Sequence, residues 1–416
     1  MDRPSSTPRA HLIGSTSWVI TLAATTAITA LSTDMSLPAQ PELARAFGVS
    51  SEAAQLTLSL FLIGFAITQI FVGYLSDVLG RRPMLIGGLA VYVATSLGCA
   101  LSPSFGVLVA CRVLQGMGAA SGPVLARAMV RDTQQPDDVA RLLSIMLATL
   151  QIAPMIAPAI GGALLGALGW RAIFATLAVC GIALLAKAHG GLPETLPVER
   201  RTPLSPGGLV RNLYRFFTTP GTRLPMLIGC ASFAGQFSYI AASPFVLMTG
   251  YGVSRAAYSG YFAATALAVM VGSLFTARRL RGGRTPAQML VLGTGLLLAG
   301  GVLVLIGTRI EGLGIAGFLV PMLIYFFGVG VTSPCAAALA LTPVREIAGT
   351  ASAAIGVSVM TAGAISSYET IKLGGSSPAV FALVVAAMGA TAAVLAWLVV
   401  LGARLRRPPG AGDQSR

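Results

Sequence analysis

The sequence predicts an all-α membrane protein whose twelve transmembrane helices form two pseudo-symmetric six-helix bundles. Of its 416 residues, 55% are hydrophobic and only 10% are charged, whereas soluble domains carry about 25% charged residues. The mean hydropathy is +0.80. About twelve apolar runs reach the length of about 20 residues that a helix needs to cross a bilayer. Composition and run length together exclude a soluble protein with a polar surface.

The apolar runs fall into two groups of six, separated by a polar stretch. They lie at residues 15–38, 53–75, 83–101, 105–129, 140–166 and 170–189, and then at 223–249, 257–278, 287–308, 313–341, 347–370 and 377–402. The stretch between the groups is rich in Pro, Gly and charge, which is typical of a linker. Its "LVRNLYRFF" predicts a short amphipathic helix on the membrane surface. We therefore divide the chain into an N-terminal bundle (1–189), a cytoplasmic linker (190–222) and a C-terminal bundle (223–416).

The positive charges lie mainly between the apolar runs and predict the orientation of the chain. Most of the 28 Lys and Arg residues fall near the two termini and in the loops on the same side of the membrane. Because cytoplasmic loops of membrane proteins are enriched in Lys and Arg, we expect a multi-pass protein of the bacterial inner membrane with both termini cytoplasmic. These loops account for the net charge of +14 without a basic soluble domain, so no nucleic-acid partner is expected.

Residues suited to metal binding or catalysis are sparse. The five cysteines all lie inside apolar runs without a CxxC pair, and the two histidines, His11 and His189, lie near predicted membrane edges. We therefore expect no metal site. A nucleophile–base pair and a phosphate-binding loop are also lacking, so neither an enzyme nor a cofactor is predicted. A membrane sensor without transport stays a remote alternative, although no soluble output domain is visible.

Two arginine-rich loops occupy equivalent places in the two halves. "GYLSDVLGRRP" (73–83) joins the second and third runs, and "GSLFTARRLRGGRTP" (272–286) joins the eighth and ninth. Each has a glycine, an arginine cluster and a proline before the next run, which favours a duplicated transporter with its substrate site between the halves. In the first loop, Gly73 permits close helix contact and Gly80 permits a tight turn.

The first of these loops resembles the G-x-L-a-D-r-x-G-r-r signature between helices 2 and 3 of the major facilitator superfamily. Other stretches resemble the helix 4 and helix 5 patterns of its proton-coupled drug exporters, and some resemble its bicyclomycin/chloramphenicol-resistance (Bcr/CflA-type) branch. The helix patterns are "RVLQGMGAASGP" (112–123) and "APMIAPAIGGALLGALGWRAIF" (153–174), and the branch patterns are "STDMSLPAQPEL" (32–43), "YIAASPFVL" (239–247) and "VRD" (130–132). The resemblance covers nearly the whole chain and implies a twelve-helix drug:proton antiporter with a central cavity.

The same resemblance implies a gate at the cytoplasmic side. Its members are Gly73, Asp77, Gly80, Arg81 and Arg82 of the signature, with Asp132 at the end of helix 4 as the matching acid. The start of helix 11, "PVREIAG" (343–349), is the candidate facing end. Val78 replaces a basic position, so one cytoplasmic ion pair of the family is not expected. From the residues alone, Asp77 can also be a solvated partner of arginines that hold the loop inside, and this alternative stays open.

The helix 5 stretch contains Pro154, Pro158, Gly161 and Gly162. Proline removes a helix hydrogen bond and bends the helix, and glycines let an opposing helix approach closely. The resemblance implies that this helix seals the outward face against proton leak. Tight packing without a sealing role is the alternative.

Asp34 and Arg112 are the clearest formal charges inside the apolar runs of the N-terminal half. A charge at the centre of a membrane helix costs about 3 kcal/mol on insertion scales, so such residues are functional by default. At a helical rise of 1.5 Å per residue, Asp34 lies roughly 6 Å and Arg112 roughly 12 Å below the outer boundary of the membrane. We expect them to be neighbours and to form the proton-coupling site, because burial favours the neutral acid and a nearby cation favours the carboxylate. A wet interfacial position of Asp34 and a static structural pair remain alternatives.

Substrate contacts are predicted for Asp34 and Arg112 and for further side chains of the second half and of helix 4: Gln115, Tyr239, Phe245, Tyr258 and Phe262. Apolar pockets with few polar groups are usual for ligand sites, although ordinary packing is the alternative for each aromatic. The resemblance thus implies a monomeric, proton-coupled exporter of small drugs, phenicol- or bicyclomycin-like, with protons and membrane lipid as its other partners. Export of a metabolite such as an amino acid or sugar stays open.

Overall fold

The structure is a computed structural model that describes residues 13–201, 206–374 and 377–405. The ends of the two predicted bundles, at 1–12 and 406–416, and linker residues 202–205 lie outside the described residues. Helices dominate the described chain.

The N-terminal half folds into seven long helical pieces and one short helix. They are α1 (Thr16–Asp34), α2 (Gln40–Phe47), α3 (Ser51–Leu79), α4 (Arg81–Ala100), α5 (Phe105–Ala119), α6 (Ser121–Thr133), α7 (Pro136–Leu168) and α8 (Trp170–Gly191). Serine side chains cap several starts: Ser15 accepts from the Trp18 amide and Ser50 from the Ala53 amide, as expected for N-cap residues. Between α3 and α4, Gly80 has φ +104°, a conformation that favours glycine.

The C-terminal half begins with the linker helix and continues with six long helices. They are α9 (Pro206–Thr218), α10 (Arg223–Ser243), α11 (Arg255–Arg281), α12 (Pro286–Gly307), α13 (Gly314–Leu341), α14 (Ala348–Lys372) and α15 (Pro378–Leu405). Helix α9 is the amphipathic helix predicted in the linker. Its Phe216 is buried against the end of α13 and the start of α14, and Arg215 pairs with Glu346 at 2.7 Å.

The predicted twelve-helix fold is confirmed. Ten helical segments of the described residues are long and apolar enough to cross a membrane, and one of them, Gly314–Lys372, contains both α13 and α14. Helix α1 brings the number of crossing helices to twelve, with α5 and α6 forming one crossing. Because consecutive crossings run antiparallel, their ends form two faces. We call the face that carries the start of α1 and the end of α15 the terminal face, and the other the opposite face.

Three local features differ from the predicted runs. The short helix α2 between the first two crossings was not predicted; it ends at Gly48, whose φ of +63° suits glycine. The fourth crossing breaks at Ala120, because Pro123 has no amide hydrogen to donate to the carbonyl of Ala119. Pro244 likewise interrupts the seventh crossing, and the chain continues to Gly250 as a wider π-helical turn.

The two bundles contact each other mainly through two helix pairs. Helix α3 packs against α14, and α7 packs against α11. Helices α1, α10 and α13 line the space between these contacts. This arrangement leaves a cavity at the centre of the interface.

Candidate functional site: a cavity between the bundles

The cavity has a volume of about 180 Å³ and is lined by helices of both bundles. Its surface is mostly apolar, with a few polar groups among aromatic rings. The first half contributes Thr29, Ala30, Thr33, Asp34, Leu62, Leu150, Gln151 and Pro154, and the second half contributes Phe233, Gln236, Phe237, Ile240, Phe262, Thr265, Ala266, Val269, Phe326 and Met360. Such a lining is typical of small-molecule sites.

Asp34 is the acidic residue of this lining, and it is the last residue of α1. Its side chain is only 4% exposed, which argues against the wet interfacial position. Thr33 donates a hydrogen bond from Oγ1 to Asp34 Oδ1 at 3.0 Å. Within the described part of the chain, no ion pair involves Asp34. The carboxyl therefore lies buried at the bundle interface without a counter-ion.

Arg112 is not the partner of Asp34, and that expectation was wrong. Its fully buried guanidinium donates from Nε to the Thr57 carbonyl at 2.8 Å and from Nη1 to the Ser32 carbonyl at 3.2 Å. Nη1 also donates to Gln115 Oε1 at 2.6 Å. The charge faces the ring of Phe61, with 4.5 Å from Cζ to the ring centroid. Arg112 thus joins α1, α3 and α5 inside the first bundle.

Arg112 does not reach Asp34 because the two side chains lie on different sides of helix α1. Ser32 and Asp34 are two residues apart, and a helix turns by about 100° per residue. The side of α1 that meets Arg112 is therefore roughly opposite to the side that carries Asp34. Comparable depth in the membrane did not make the two charges neighbours. Neither Arg112 nor Gln115 lines the cavity, and Gln115 instead donates to Ser96 Oγ at 2.7 Å.

Of the four aromatic residues predicted to contact substrate, only Phe262 lines the cavity. Tyr239, Phe245 and Tyr258 are buried in the packed second bundle, which corrects their assignment. The Tyr239 ring contacts Phe262 and Phe326 from behind, and the Tyr258 hydroxyl lies 3.1 Å from Ser243 Oγ.

Sequence reasoning missed Phe233, Phe237 and Phe326, which do line the cavity. The rings of Phe233 and Phe237 stack with 4.4 Å between their centroids. A signal was present, because residues 233, 236, 237 and 240 have the i, i+3, i+4, i+7 spacing of one helix face. Tyr239 lies off that face.

At the terminal face, most of the predicted gate residues come together around Arg81. Its Nη1 lies 2.6 Å from Asp77 Oδ1, and its Nε lies 2.9 Å from Asp132 Oδ2. Arg82 donates from Nη2 to the His189 carbonyl at 2.7 Å. Asp77 makes no ion pair with the predicted facing end at 343–349 in the described structure. The two ion pairs of Arg81 therefore lie within the first bundle.

Gly80 supplies the predicted tight turn between α3 and α4, but Gly73 is not at a close helix contact. A methyl group placed on Gly73 would lie 3.7 Å from Val124 Cγ1, an ordinary van der Waals distance. The expected steric need for glycine at position 73 was therefore wrong.

Glu194 is a member of this cluster that sequence reasoning missed. Its carboxylate accepts hydrogen bonds from the amides of Arg81 at 3.0 Å and Arg82 at 3.2 Å. It also accepts from the amides of Thr195 and Leu196. An acid at a helix N-terminus satisfies free amides and the positive end of the helix dipole. The only sequence signal was a lone acid in "LPETLP", which composition assigned to the linker.

The glycines of α7 face two different neighbours. A methyl group on Gly161 would collide with the carbonyl of Met35 just after α1, so this glycine permits contact inside the first bundle. Gly162 instead faces Arg255 and Ser259 of α11, across the bundle interface. Pro154 lines the cavity, and Pro158 is buried in the same helix, which stays continuous.

Comparison with known proteins agrees with this geometry. The family model of the Major Facilitator Superfamily matches residues 22–367. A chloramphenicol resistance protein of Pseudomonas aeruginosa is 35% identical over 349 residues, which cover 81% of each chain. A bicyclomycin resistance protein homolog of Haemophilus influenzae is 29% identical over 88% of this chain and 92% of its own.

A solved structure of similar fold is that of a D-xylose-proton symporter. It has a TM-score of 0.72 and 18% sequence identity, and the match covers 91% of this chain and 97% of that one. At this identity the likeness concerns the fold alone. Two bundles around a central cavity, the terminal-face signature and the sequence relatives together show that the chain belongs to the major facilitator superfamily.

Proposed function

We propose that the chain exports small amphipathic drugs of the phenicol or bicyclomycin type across the bacterial inner membrane in exchange for protons. The observation that carries this proposal is a buried carboxylate, Asp34, in a mainly apolar and aromatic cavity between the bundles. The names of the two relatives, which refer to chloramphenicol and bicyclomycin resistance, support drugs as cargo. The proton gradient supplies the energy, no cofactor is required, and the chain acts as a monomer with cytoplasmic termini.

Asp34 is the group that carries the proton. A buried carboxylate without a counter-ion is costly, so this position favours either a bound proton or a ligand that donates to the carboxylate. A drug that enters from the cytoplasm takes the place of the proton, which leaves to the cytoplasm. After the cavity turns to the periplasm, a new proton binds Asp34 and the drug leaves. One acid corresponds to one proton per cycle.

The drug packs against the rings of Phe233, Phe237, Phe262 and Phe326, with the amides of Gln151 and Gln236 as hydrogen-bonding groups. Drug-sized ligands occupy cavities of about 300–1,000 Å³, which is more than the present volume of about 180 Å³. Binding therefore requires the bundles to move apart. The Arg81 cluster at the terminal face is the cytoplasmic gate that responds to this movement.

The test is drug export by purified protein in liposomes with an imposed pH gradient, together with proton release on drug binding. Asp34→Asn is expected to bind chloramphenicol but to lose gradient-driven export and proton release. Glu369→Gln, which changes a half-exposed acid near the end of α14, is the matched control. Normal proton release by Asp34→Asn would contradict the carrier role, and loss of release in Glu369→Gln alone would move that role to Glu369.

A further inference from the structure

An ion pair joins the two bundles at the opposite face. Glu42 lies on the short helix α2 of the first half, and Arg255 is the first residue of α11 in the second half. Arg255 Nη2 is 3.7 Å from Glu42 Oε2, and both side chains are partly exposed. The other ion pairs of the described residues lie within one bundle, within the linker, or between the linker and one bundle.

Helix α7 provides the surface along which Arg255 reaches Glu42. A methyl group on Gly166 would lie 3.5 Å from Arg255 Nη1, and one on Gly162 would lie 3.9 Å from Arg255 Cβ. The arginine therefore runs over two glycines at ordinary contact distance, and larger side chains there would occupy part of its path. Besides permitting close helix packing, glycines on α7 therefore leave room for the Arg255 side chain to reach Glu42.

A hydrogen bond between the bundles lies near the same face. Ser59 Oγ on α3 and Ser367 Oγ on α14 are 2.8 Å apart and buried. Ser59 is near the start of α3, and Ser367 is near the end of α14, so both belong to the half of the interface that carries the opposite face. Among the described residues, this hydrogen bond and the Glu42–Arg255 ion pair thus lie on the same side of the cavity.

We propose that Glu42 and Arg255 form a reversible latch that holds the opposite side of the cavity closed. The pair is present while the cavity is closed toward that face, and it separates when α2 and the start of α11 move apart to release the ligand. This inference rests on the alternating-access function proposed above, because it assigns the two residues to one of its states. They act on the position of the bundles and do not touch substrate.

The latch is expected to be weak. Exposed ion pairs stabilise by up to about 1 kcal/mol, equivalent to a change of about fivefold in an equilibrium. Glu42 and Arg255 have side-chain exposures of 30% and 44%, which places them in this class. Loss of the pair should therefore raise the ratio of open to closed forms at the opposite face by about two- to fivefold. A gate that reopens in every cycle requires interactions of this size.

The experiment is amide hydrogen exchange of the full chain in lipid nanodiscs, without drug. Glu42→Gln and Arg255→Gln should each speed exchange about two- to fivefold in segments 51–60 and 255–262, the helix ends beside the latch. The exchanged pair Glu42→Arg with Arg255→Glu should return the rates toward those of the parent. Glu42→Arg alone, which places two cations together, should give the largest increase. Lys372→Gln breaks an exposed pair within α14 on the same face and should change nothing in these segments.

Unchanged exchange in both Glu42→Gln and Arg255→Gln would overturn the latch. Exchange in the double variant Glu42→Arg with Arg255→Glu that is as fast as in Glu42→Arg alone would also overturn it. Exchange needs neither drug nor protons, so this outcome is separate from that of the export assay. A parent that fails to export drug, but shows latch-dependent exchange, would refute the proposed cargo and leave the latch supported.

Discussion

Replacing Glu194 by alanine should loosen the first turn of α4. The carboxylate accepts from the amides of Arg81 and Arg82, and both amides would be left to water. Loss of a capping side chain costs about 0.5–2 kcal/mol, and loss of an acid near a helix N-terminus costs about 0.3–1 kcal/mol. Glu194 has 20% side-chain exposure, so water replaces part of the lost bonding. We therefore expect a local cost of about 1–2 kcal/mol.

The assay is hydrogen exchange at the amides of Arg81 and Arg82. Because 1.4 kcal/mol corresponds to a factor of ten, exchange should be about 5–30 times faster in Glu194→Ala. Glu194→Gln keeps one acceptor oxygen and loses the charge, so it should fall between the parent and the alanine variant. Glu199→Ala changes an exposed acid five residues further along the linker and serves as control. Equal exchange in Glu194→Ala and Glu199→Ala would refute the capping role.

The remaining predictions concern the gate, the buried arginine and the orientation. Asp77→Asn should impair export more than drug binding, because it removes one of the two acids that hold Arg81; normal export would favour the solvated alternative for Asp77. Arg112→Lys should lower stability by about 1–3 kcal/mol in thermal unfolding and keep only partial export, because an ammonium cannot reproduce the planar donor fork; parent-like unfolding would show that the carbonyl contacts contribute little. Reporter fusions after Ser102 and Gly312 should read periplasmic and a fusion after Arg82 cytoplasmic; the reverse pattern would overturn the orientation.

Hydrophobic segments were sufficient to predict the crossings, because lipid requires every backbone polar group to be bonded within a helix. The linker helix α9 was also predicted, since its apolar and charged residues alternate with helical spacing. Helix α2 was missed because its eight residues, "QPELARAF", carry too few apolar side chains to stand out. The break at Ala120 could not be predicted from hydropathy, because the apolar run continues through it. Pro123 was the sequence signal for its position.

The candidate site was predicted less well than the fold. Hydropathy and spacing located Asp34, because a charge inside an apolar run is conspicuous, whereas the Arg81 cluster was expected from the resemblance to the family signature. They could not give the direction of Arg112, which depends on the packing of three helices. They also could not place Glu194 beside α4, since the two are far apart in sequence and the chain returns to the terminal face only after α8. Contacts between segments distant in sequence require the folded structure.

The docking of the linker at both ends limits how far the bundles can travel. Glu194 ties the start of the linker to α4, and Phe216 and Arg215 tie α9 to the second bundle. Between Arg201 and the first residue of α9 the chain advances by five residues, which span at most about 18 Å when fully extended. The connection therefore acts as a tether of fixed maximum length. An opening of the terminal face that needs a longer connection can occur only after the linker has separated from α4 or α9 has separated from the second bundle.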